Sequence, residues 1–192
     1  MESRDARTER HTRDGIVDTA LALLQRAGLP DLSMRRLAAE LGVQPSALYW
    51  HFDNKQSLLA DIADRIVASA APVAPSAEPA ADVAAAASAL RDALLAYRDG
   101  AEIVLSTQAL GLGSDVAHDR LAGVLAPLAG DDAQSAATVL LQFVLGHASL
   151  VQQRIQAARF GAYPAAEAEV VEQTASDFAR GVRMLVGGYA RG

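Results

Sequence analysis

Residues Ser33 to Lys55, SMRRLAAELGVQPSALYWHFDNK, leave this chain few folding options. Met34, Leu37, Ala38 and Leu41 follow the i, i+3, i+4, i+7 spacing of one apolar helical face. Ser33 supplies an N-cap oxygen, and Gly42 tolerates the left-handed backbone that ends a helix. Gln44-Pro45 opens a second helix, because proline's missing N–H would have no partner at a first helical position anyway. Two short helices joined by a glycine-containing turn form a helix-turn-helix, whose second helix can lie in the major groove of DNA. That second helix buries little. Leu48 and Phe52 are expected to face inward with Val43, leaving Ser46, Ala47, Tyr49, Trp50 and His51 outside. An exposed Tyr-Trp-His run is costly unless a partner covers it, and double-stranded DNA is the partner this arrangement suggests.

The rest of the chain also reads as helical. A first helix from about Thr12 to Ala27 turns Ile16, Ala20, Leu23, Leu24 and Ala27 inward and stops at Gly28 and Pro30. Asp53 or Asn54 caps a fourth helix running to about Ala71, with Leu58, Leu59, Ile62, Ile66 and Val67 on one face. PVAPSAEP, residues 72–79, reads as a linker or loop. Further helices are expected near 81–98, 101–111, 114–129, 132–158 and 166–190, broken at glycines and at the 161–164 stretch. No strand-like alternation bounded by hairpin signals occurs. The expected fold is therefore all-α. A three-helix DNA-binding head occupies residues 1–54, a connecting helix 55–71, and a helical ligand-binding and dimerisation bundle 72–192.

Composition excludes several functions. With 51% hydrophobic and 21% charged residues the chain is globular. It has no cysteine, which removes disulfides, thiolate metal sites and a cysteine nucleophile. Its four histidines, at 11, 51, 118 and 147, are scattered, and no nucleophile–base pair or metal cluster appears. No catalytic residue, metal site or cofactor is expected; a helical ligand carrier or enzyme remains the weaker alternative. The charged N-terminus has no apolar core behind it, and no uninterrupted apolar run approaches the roughly 18 residues of a membrane span. The expectation is a cytoplasmic protein with no membrane partner.

The net charge of −6 argues at first against nucleic acid. Residues 1–71, however, carry nine Arg/Lys against ten Asp/Glu, so most of the excess acid lies beyond them. Arg4, Arg7, Arg10, Arg13, Arg35, Arg36 and Lys55 could form a local positive face, which is all that phosphate binding requires. The Arg4–Arg13 segment, interleaved with acids, also reads as a solvated charge run. Lys55, the only lysine in the chain, stands in the first turn of the fourth helix, where a cation opposes the macrodipole. A phosphate there would accept from both the helix N–H groups and the ammonium. Tyr49 and His51 are placed to reach phosphates and Trp50 to pack on sugar or a thymine methyl. Tyr49 could instead be a wedge inside the head. Arg35 is the candidate for a guanine edge, and Arg36 reads as surface charge.

The LGV…LYWHF.NK..LL pattern within residues 41–59 resembles the tetracycline-repressor (TetR) family of bacterial transcriptional regulators. The resemblance extends to residues 93–107, ALLAYRDGAEIVLST, and to the tail from Phe178. It implies DNA contacts from Arg35, Gln44, Pro45, Ser46, Ala47, Tyr49, Trp50, His51 and Lys55. The Gln44-Pro45 pair stands one residue nearer the N-terminus than in the family pattern, so the operator is not inherited. The resemblance also implies a homodimer joined through the last two long helices, where Val139, Phe143, Gly146 and Leu150, and Phe178, Val182, Leu185 and Tyr189, form stripes. Those stripes read equally as intramolecular core. Effector contacts are implied for Tyr97, Val104, Thr107, Gln108, Gln142, Phe143 and His147, although a lone histidine such as His147 is also a common hydrogen-bonded core residue. The family's magnesium-binding histidine is replaced by Val104 and its acidic partner by Ile155. A hard cation then lacks a ligand set, and a small, uncharged, mostly apolar effector is expected.

The resemblance further implies a two-state repressor. Its recognition helices would span successive major grooves of a palindromic operator, and an effector acting through the 101–111 and fourth helices would release it. A DNA-binding activator, or a repressor without a small ligand, fits the same residues.

Overall fold

A computed structural model of the chain describes residues 12–189, and within them every regular element is helical. The α-helices are α1 (Arg13–Ala27), α2 (Met34–Leu41), α3 (Pro45–Leu48), α4 (Lys55–Ala68), α5 (Pro79–Ala96), α6 (Gly100–Ala109), α7 (Val116–Ala129), α8 (Ala133–Arg159) and α9 (Glu167–Tyr189). Two 3₁₀ turns, Leu29–Asp31 and Gly130–Asp132, join α1 to α2 and α7 to α8. The described residues up to Ile66 form one compact unit with Tyr97–Gly113. Val67–Ala96 and the described residues from Ser114 onward form a second.

In the first unit the local chemistry is as the sequence suggests. The Ser33 hydroxyl accepts from the Arg36 N–H at 3.2 Å, and Gly42 ends α2 at φ 69°. Nothing lies within 4 Å of a Cβ added at Gly42, so its backbone angle, not crowding, is what calls for glycine. Of the two candidate caps for α4, Asn54 is the one used. Its Oδ1 accepts from the Ser57 N–H at 3.0 Å while the Ser57 hydroxyl oxygen accepts from the Asn54 N–H at 3.3 Å, a reciprocal arrangement that pairs two otherwise orphaned donors. The core holds Ile16, Leu23, Leu24, Leu37, Leu48, Phe52, Leu58 and Ile62, each at most 2% exposed.

The start of α6 is fastened to the end of α1 within this unit. The Leu29 N–H donates to the Asp99 carboxylate at 2.7 Å, and the Arg98 N–H donates to the Gln25 side-chain oxygen at 2.7 Å. A Cβ on Gly28 would lie 2.9 Å from the Arg98 Nε, and its φ of 85° is also unfavourable for other residues. Gly28 is thus both a helix stop and a close-approach point.

The second unit packs α7 and α8 against each other, with α5 and α9 alongside. Val83, Leu94, Leu121, Leu140, Val144, Leu145, Val170, Phe178 and Val182 are buried between them. The stretch Val116–Arg159 reaches the length and apolarity of a membrane-crossing helix by composition. It consists of α7 and α8, separated by the 3₁₀ turn, and both contribute to this core. Several boundaries differ from the sequence expectation by two or three residues. α4 ends at Ala68 rather than about Ala71, and α5 starts at Pro79, the last residue of the expected linker. Proline at N1 starts a helix as readily as it breaks one.

Candidate nucleic-acid interface and effector cavity

α3 is a single turn, and its geometry is imposed from beneath. Leu48, the last residue of the turn, and Phe52 just beyond it are each 1% exposed, so the turn is pinned at its C-terminal end. Arg13 of α1 holds it from the side. Its Nε and Nη2 donate to the two carboxylate oxygens of Asp61 at 2.6 and 2.8 Å, and its Nη1 donates to the His51 carbonyl at 2.6 Å. The guanidinium also lies 4.6 Å from the centroid of the Phe52 ring. The Asp61 hydrogen bonds raise the Arg13 pKa above its ordinary value despite the opposing effect of desolvation. Arg13 therefore braces the recognition turn and is not a free member of a positive face.

What remains outside this brace is aromatic and basic. Trp50 is 89% exposed and Tyr49 52% exposed, which disfavours Tyr49 as an internal wedge. His51 is half-buried, Gln44 and Ser46 are exposed, and Pro45 and Ala47 are half-buried. Gln44 occupies the N-cap position of α3 without capping it through its side chain. Arg35 is exposed and makes no ion pair among the described residues, whereas Arg36 is held by Asp31 at 3.0 Å. Arg26 and Arg65 are likewise held, by Glu40 and by Asp14 and Asp18. Lys55 stands at the first position of α4 with no acid in that turn. Among the described cations of the head, Arg35 and Lys55 are thus the ones left for an external anion. Arg4, Arg7 and Arg10 lie outside the described residues.

The seven residues expected to contact an effector are divided between the units. Tyr97, Val104, Thr107 and Gln108 belong to the first, and Gln142, Phe143 and His147 to the second. Val104 is buried, and the buried Thr107 hydroxyl lies 3.0 Å from the carbonyls of Ile103 and Val104 in its own helix. Tyr97 and Gln108 are half-buried and Gln142 is exposed. Phe143 stacks on Phe178 with ring centroids 5.6 Å apart, and His147 lies 4.9 Å from the same ring. The His147 Nε2 lies 3.2 Å from the Thr174 carbonyl, and its buried Nδ1 has no hydrogen-bond partner among the described residues. Burial, then the charge of Arg91, push the His147 pKa below its ordinary value, against smaller opposing effects of the Thr174 carbonyl and Asp177. This is the environment of a neutral histidine seated in a helical core.

A cavity that the sequence did not point to lies in the second unit. It holds about 200 Å³ and is walled by Val67 of α4, by Ala70, Pro72 and Val73 after it, by Leu90 of α5, and by Leu121 and Val124 of α7. Its one charged wall residue is Arg120. The Arg120 Nη1 donates to the Val67 carbonyl at 3.1 Å and to the Ala70 carbonyl at 3.4 Å. None of the seven expected residues lines it. Arg120 is exposed on α7, beside the buried Ala117 and Leu121; an arginine in a largely apolar helix was the available signal, outside the segments that carry the family resemblance.

Comparison with known proteins bears on both units. Residues 16–62 match the family model described as bacterial regulatory proteins, tetR family, and residues 72–185 match the tetracyclin repressor-like C-terminal domain. The class C tetracycline repressor of Escherichia coli is 36% identical over 149 residues, covering 76% of this chain and 68% of that protein. Mycobacterium smegmatis BioQ superposes with a TM-score of 0.82 at 34% identity, covering 94% of this chain and 98% of its own. BioQ with its natural double-stranded DNA operator gives a TM-score of 0.77 at 33% identity, covering 93% of this chain and 98% of that one. Streptomyces coelicolor ActR in complex with (S)-DNPA gives 0.72 at 26% identity, with 94% and 97% covered. Two family models that together span most of the sequence, and a head built around an uncovered aromatic pair, lead to one conclusion: this chain is a DNA-binding transcriptional regulator, not an enzyme, and it belongs to the TetR family.

Proposed function

We propose that the protein is a cytoplasmic repressor that binds a palindromic operator as a homodimer and is released by a small, mostly apolar effector. The observation that carries the DNA half is Trp50, 89% exposed beside Tyr49 on a turn held rigid by Leu48, Phe52 and Arg13. A large aromatic surface fixed in place and left in water forgoes about 1.5–3 kcal/mol of burial per side chain until a partner covers it. Arg35 reads a guanine edge, and Trp50 packs on sugar or a thymine methyl. Tyr49, His51 and Lys55 hold phosphates, while Gln44, Pro45, Ser46 and Ala47 face the groove. BioQ, similar over nearly the whole chain, has been crystallised with its operator, which supports this reading.

Dimerisation is supported by apolar residues left in water on the two longest helices. Val139 and Leu150 of α8 are 48% and 47% exposed, and Met184 of α9 is 72% exposed. The same operation that pairs these faces sets two recognition turns about 34–36 Å apart, the spacing of successive major grooves. The ActR complex with a small molecule, and the apolar cavity beside Arg120, support an effector site in the second unit. The family resemblance instead proposes Tyr97, Val104, Thr107, Gln108, Gln142, Phe143 and His147 as contacts, and none of these lines that cavity. Release requires only that the effector bind the DNA-free state more tightly.

The test is selection of genomic fragments by the purified protein, then a gel shift of the enriched sequence with wild type and a Tyr49→Ala/Lys55→Ala double variant. An enriched inverted repeat, lost in the double variant, is the expected result. No enrichment at low salt would overturn the DNA reading.

A further inference from the structure

The cavity of the second unit has one chemical peculiarity. Its wall is apolar except for Arg120, and Arg120 forms no ion pair among the described residues. Both of its hydrogen bonds use Nη1 and go to the carbonyls of Val67, in the last turn of α4, and Ala70, just beyond it. The Val67 carbonyl also accepts from the Ala70 N–H at 3.2 Å, so the arginine adds to the bonds that close the end of the helix. The cap uses only one of the three guanidinium nitrogens. The Nε and Nη2 make no hydrogen bond among the described residues, and together they form the edge that binds a carboxylate through two parallel bonds.

We propose that this cavity takes a small amphipathic anion, a monocarboxylate with an apolar body. Its head sits on the Nε–Nη2 edge of Arg120, and its body lies against Val67, Leu90 and Leu121. The proposal rests on the effector reading above and deepens it by giving the ligand's class. It departs from the uncharged effector expected from Val104 and Ile155, because those positions speak only to a metal chelate and not to an anion. At about 200 Å³ the space is smaller than the roughly 300–1,000 Å³ of drug-sized sites, which suits a short aliphatic or single-ring acid. Charge-assisted hydrogen bonds of this kind are about twice as strong as neutral ones, so the head group and not the body decides selectivity. The guanidinium is planar, and the edge offered to the ligand is rigidly tied to the nitrogen that caps α4. Binding of the acid therefore fixes the end of α4, a helix that begins at Lys55 in the DNA-binding unit.

The experiment is titration calorimetry of the full-length protein with matched pairs, octanoate against octanamide and phenylacetate against phenylacetamide. Wild type, Arg120→Lys and Arg120→Gln are compared, each checked for intact thermal unfolding, and the same probes are added to an operator gel shift. At least one acid is expected to bind about tenfold or more tightly than its amide. That preference should shrink in Arg120→Lys and vanish in Arg120→Gln, with amide affinity unchanged. Equal affinity for acid and amide, binding of neither in both pairs, or a preference that survives Arg120→Gln would overturn the proposal. The underlying reading fails differently: a protein that prefers the acid through Arg120 yet shows no change in operator occupancy keeps the site and loses the effector role.

Discussion

Trp50 and Phe178 mark the difference between the two units. Trp50 is 89% exposed at the end of a one-turn helix. Phe178 is 3% exposed, stacked on Phe143, with His147 beside it and the Arg91 guanidinium 5.4 Å from its ring centroid. In the first unit, the exposed Trp50, Tyr49 and Arg35 are among the side chains proposed to meet DNA. In the second, polar groups on apolar helices are drawn inward: Arg91 and Thr174 are buried, and His147 reaches the Thr174 carbonyl. A polar residue amid apolar ones thus has opposite meanings in the two places. In the head it is proposed to mark contact with another molecule, and in the bundle Arg91, Thr174 and His147 show it marking packing.

The sharpest way to break this contrast is to remove the floor beneath the exposed aromatics. Phe52→Ala should cost about 3–5 kcal/mol, as deletion of a buried aromatic typically does, and abolish operator binding through loss of the head. Trp50→Ala should change stability by no more than about 0.5 kcal/mol, the usual range for a surface substitution, and yet weaken operator binding. Urea unfolding of the two variants measures both. Similar stability losses would mean that Trp50 is structural.

In the bundle, Gly181 of α9 offers the corresponding test. A Cβ there would run into the Phe143 Cζ, and the ring cannot swing freely because it stacks on Phe178. Alanine normally favours a helix over glycine by about 1 kcal/mol, whereas overpacking costs about 1–3 kcal/mol. Crowding should win, so Gly181→Ala is expected to lower the melting temperature. A rise would show that Phe143 yields and that the α8–α9 contact is loose.

Lys55→Ala tests the head more gently. Loss of one phosphate contact should weaken binding evenly across sequences and reduce the salt-dependence slope by about 1, read from operator titrations at several salt concentrations. An unchanged slope would assign Lys55 to solvent.

Much of the head was legible because its signals are local. The Ser33 cap, the Gly42 stop, Pro45 at a first helical position and the inward Leu48 and Phe52 each follow from a few neighbouring residues. The Arg13 brace was not legible, because Asp61 lies 48 positions away and only the packing of α1 on α4 joins them. The effector residues were read from polar side chains in apolar helices. Thr107 shows why that signal is weak: its hydroxyl lies within hydrogen-bond reach of carbonyls three and four residues back, a local alternative that leaves no trace in the sequence. The cavity was invisible for the complementary reason. Val67, Leu90 and Leu121 come from three helices, and each looks like ordinary core. Arg120 falls outside the segments that carry the family resemblance.

His147 gives the smallest and most specific test of the inward-drawn polar core. Burial, Arg91 and Arg154 lower its pKa, and the Thr174 carbonyl and Asp177 raise it by less. In the unfolded chain it titrates near its ordinary value of about 6.5. Below that pH the unfolded chain takes up a proton that the folded one resists, so the unfolded state binds more protons and stability falls as pH drops. The contribution of neutral His147 is present above about 6.5 and is lost as pH falls through the lower folded value. His147→Gln keeps a nitrogen donor for the Thr174 carbonyl but cannot titrate. Melting temperatures of wild type and variant should therefore run together at neutral pH and separate on acidification, the wild type falling faster. The other three histidines are common to both proteins and cancel in the difference. Parallel curves would mean that the imidazole is solvated enough to charge freely, and the inward half of the comparison would then fail at the residue that states it most plainly.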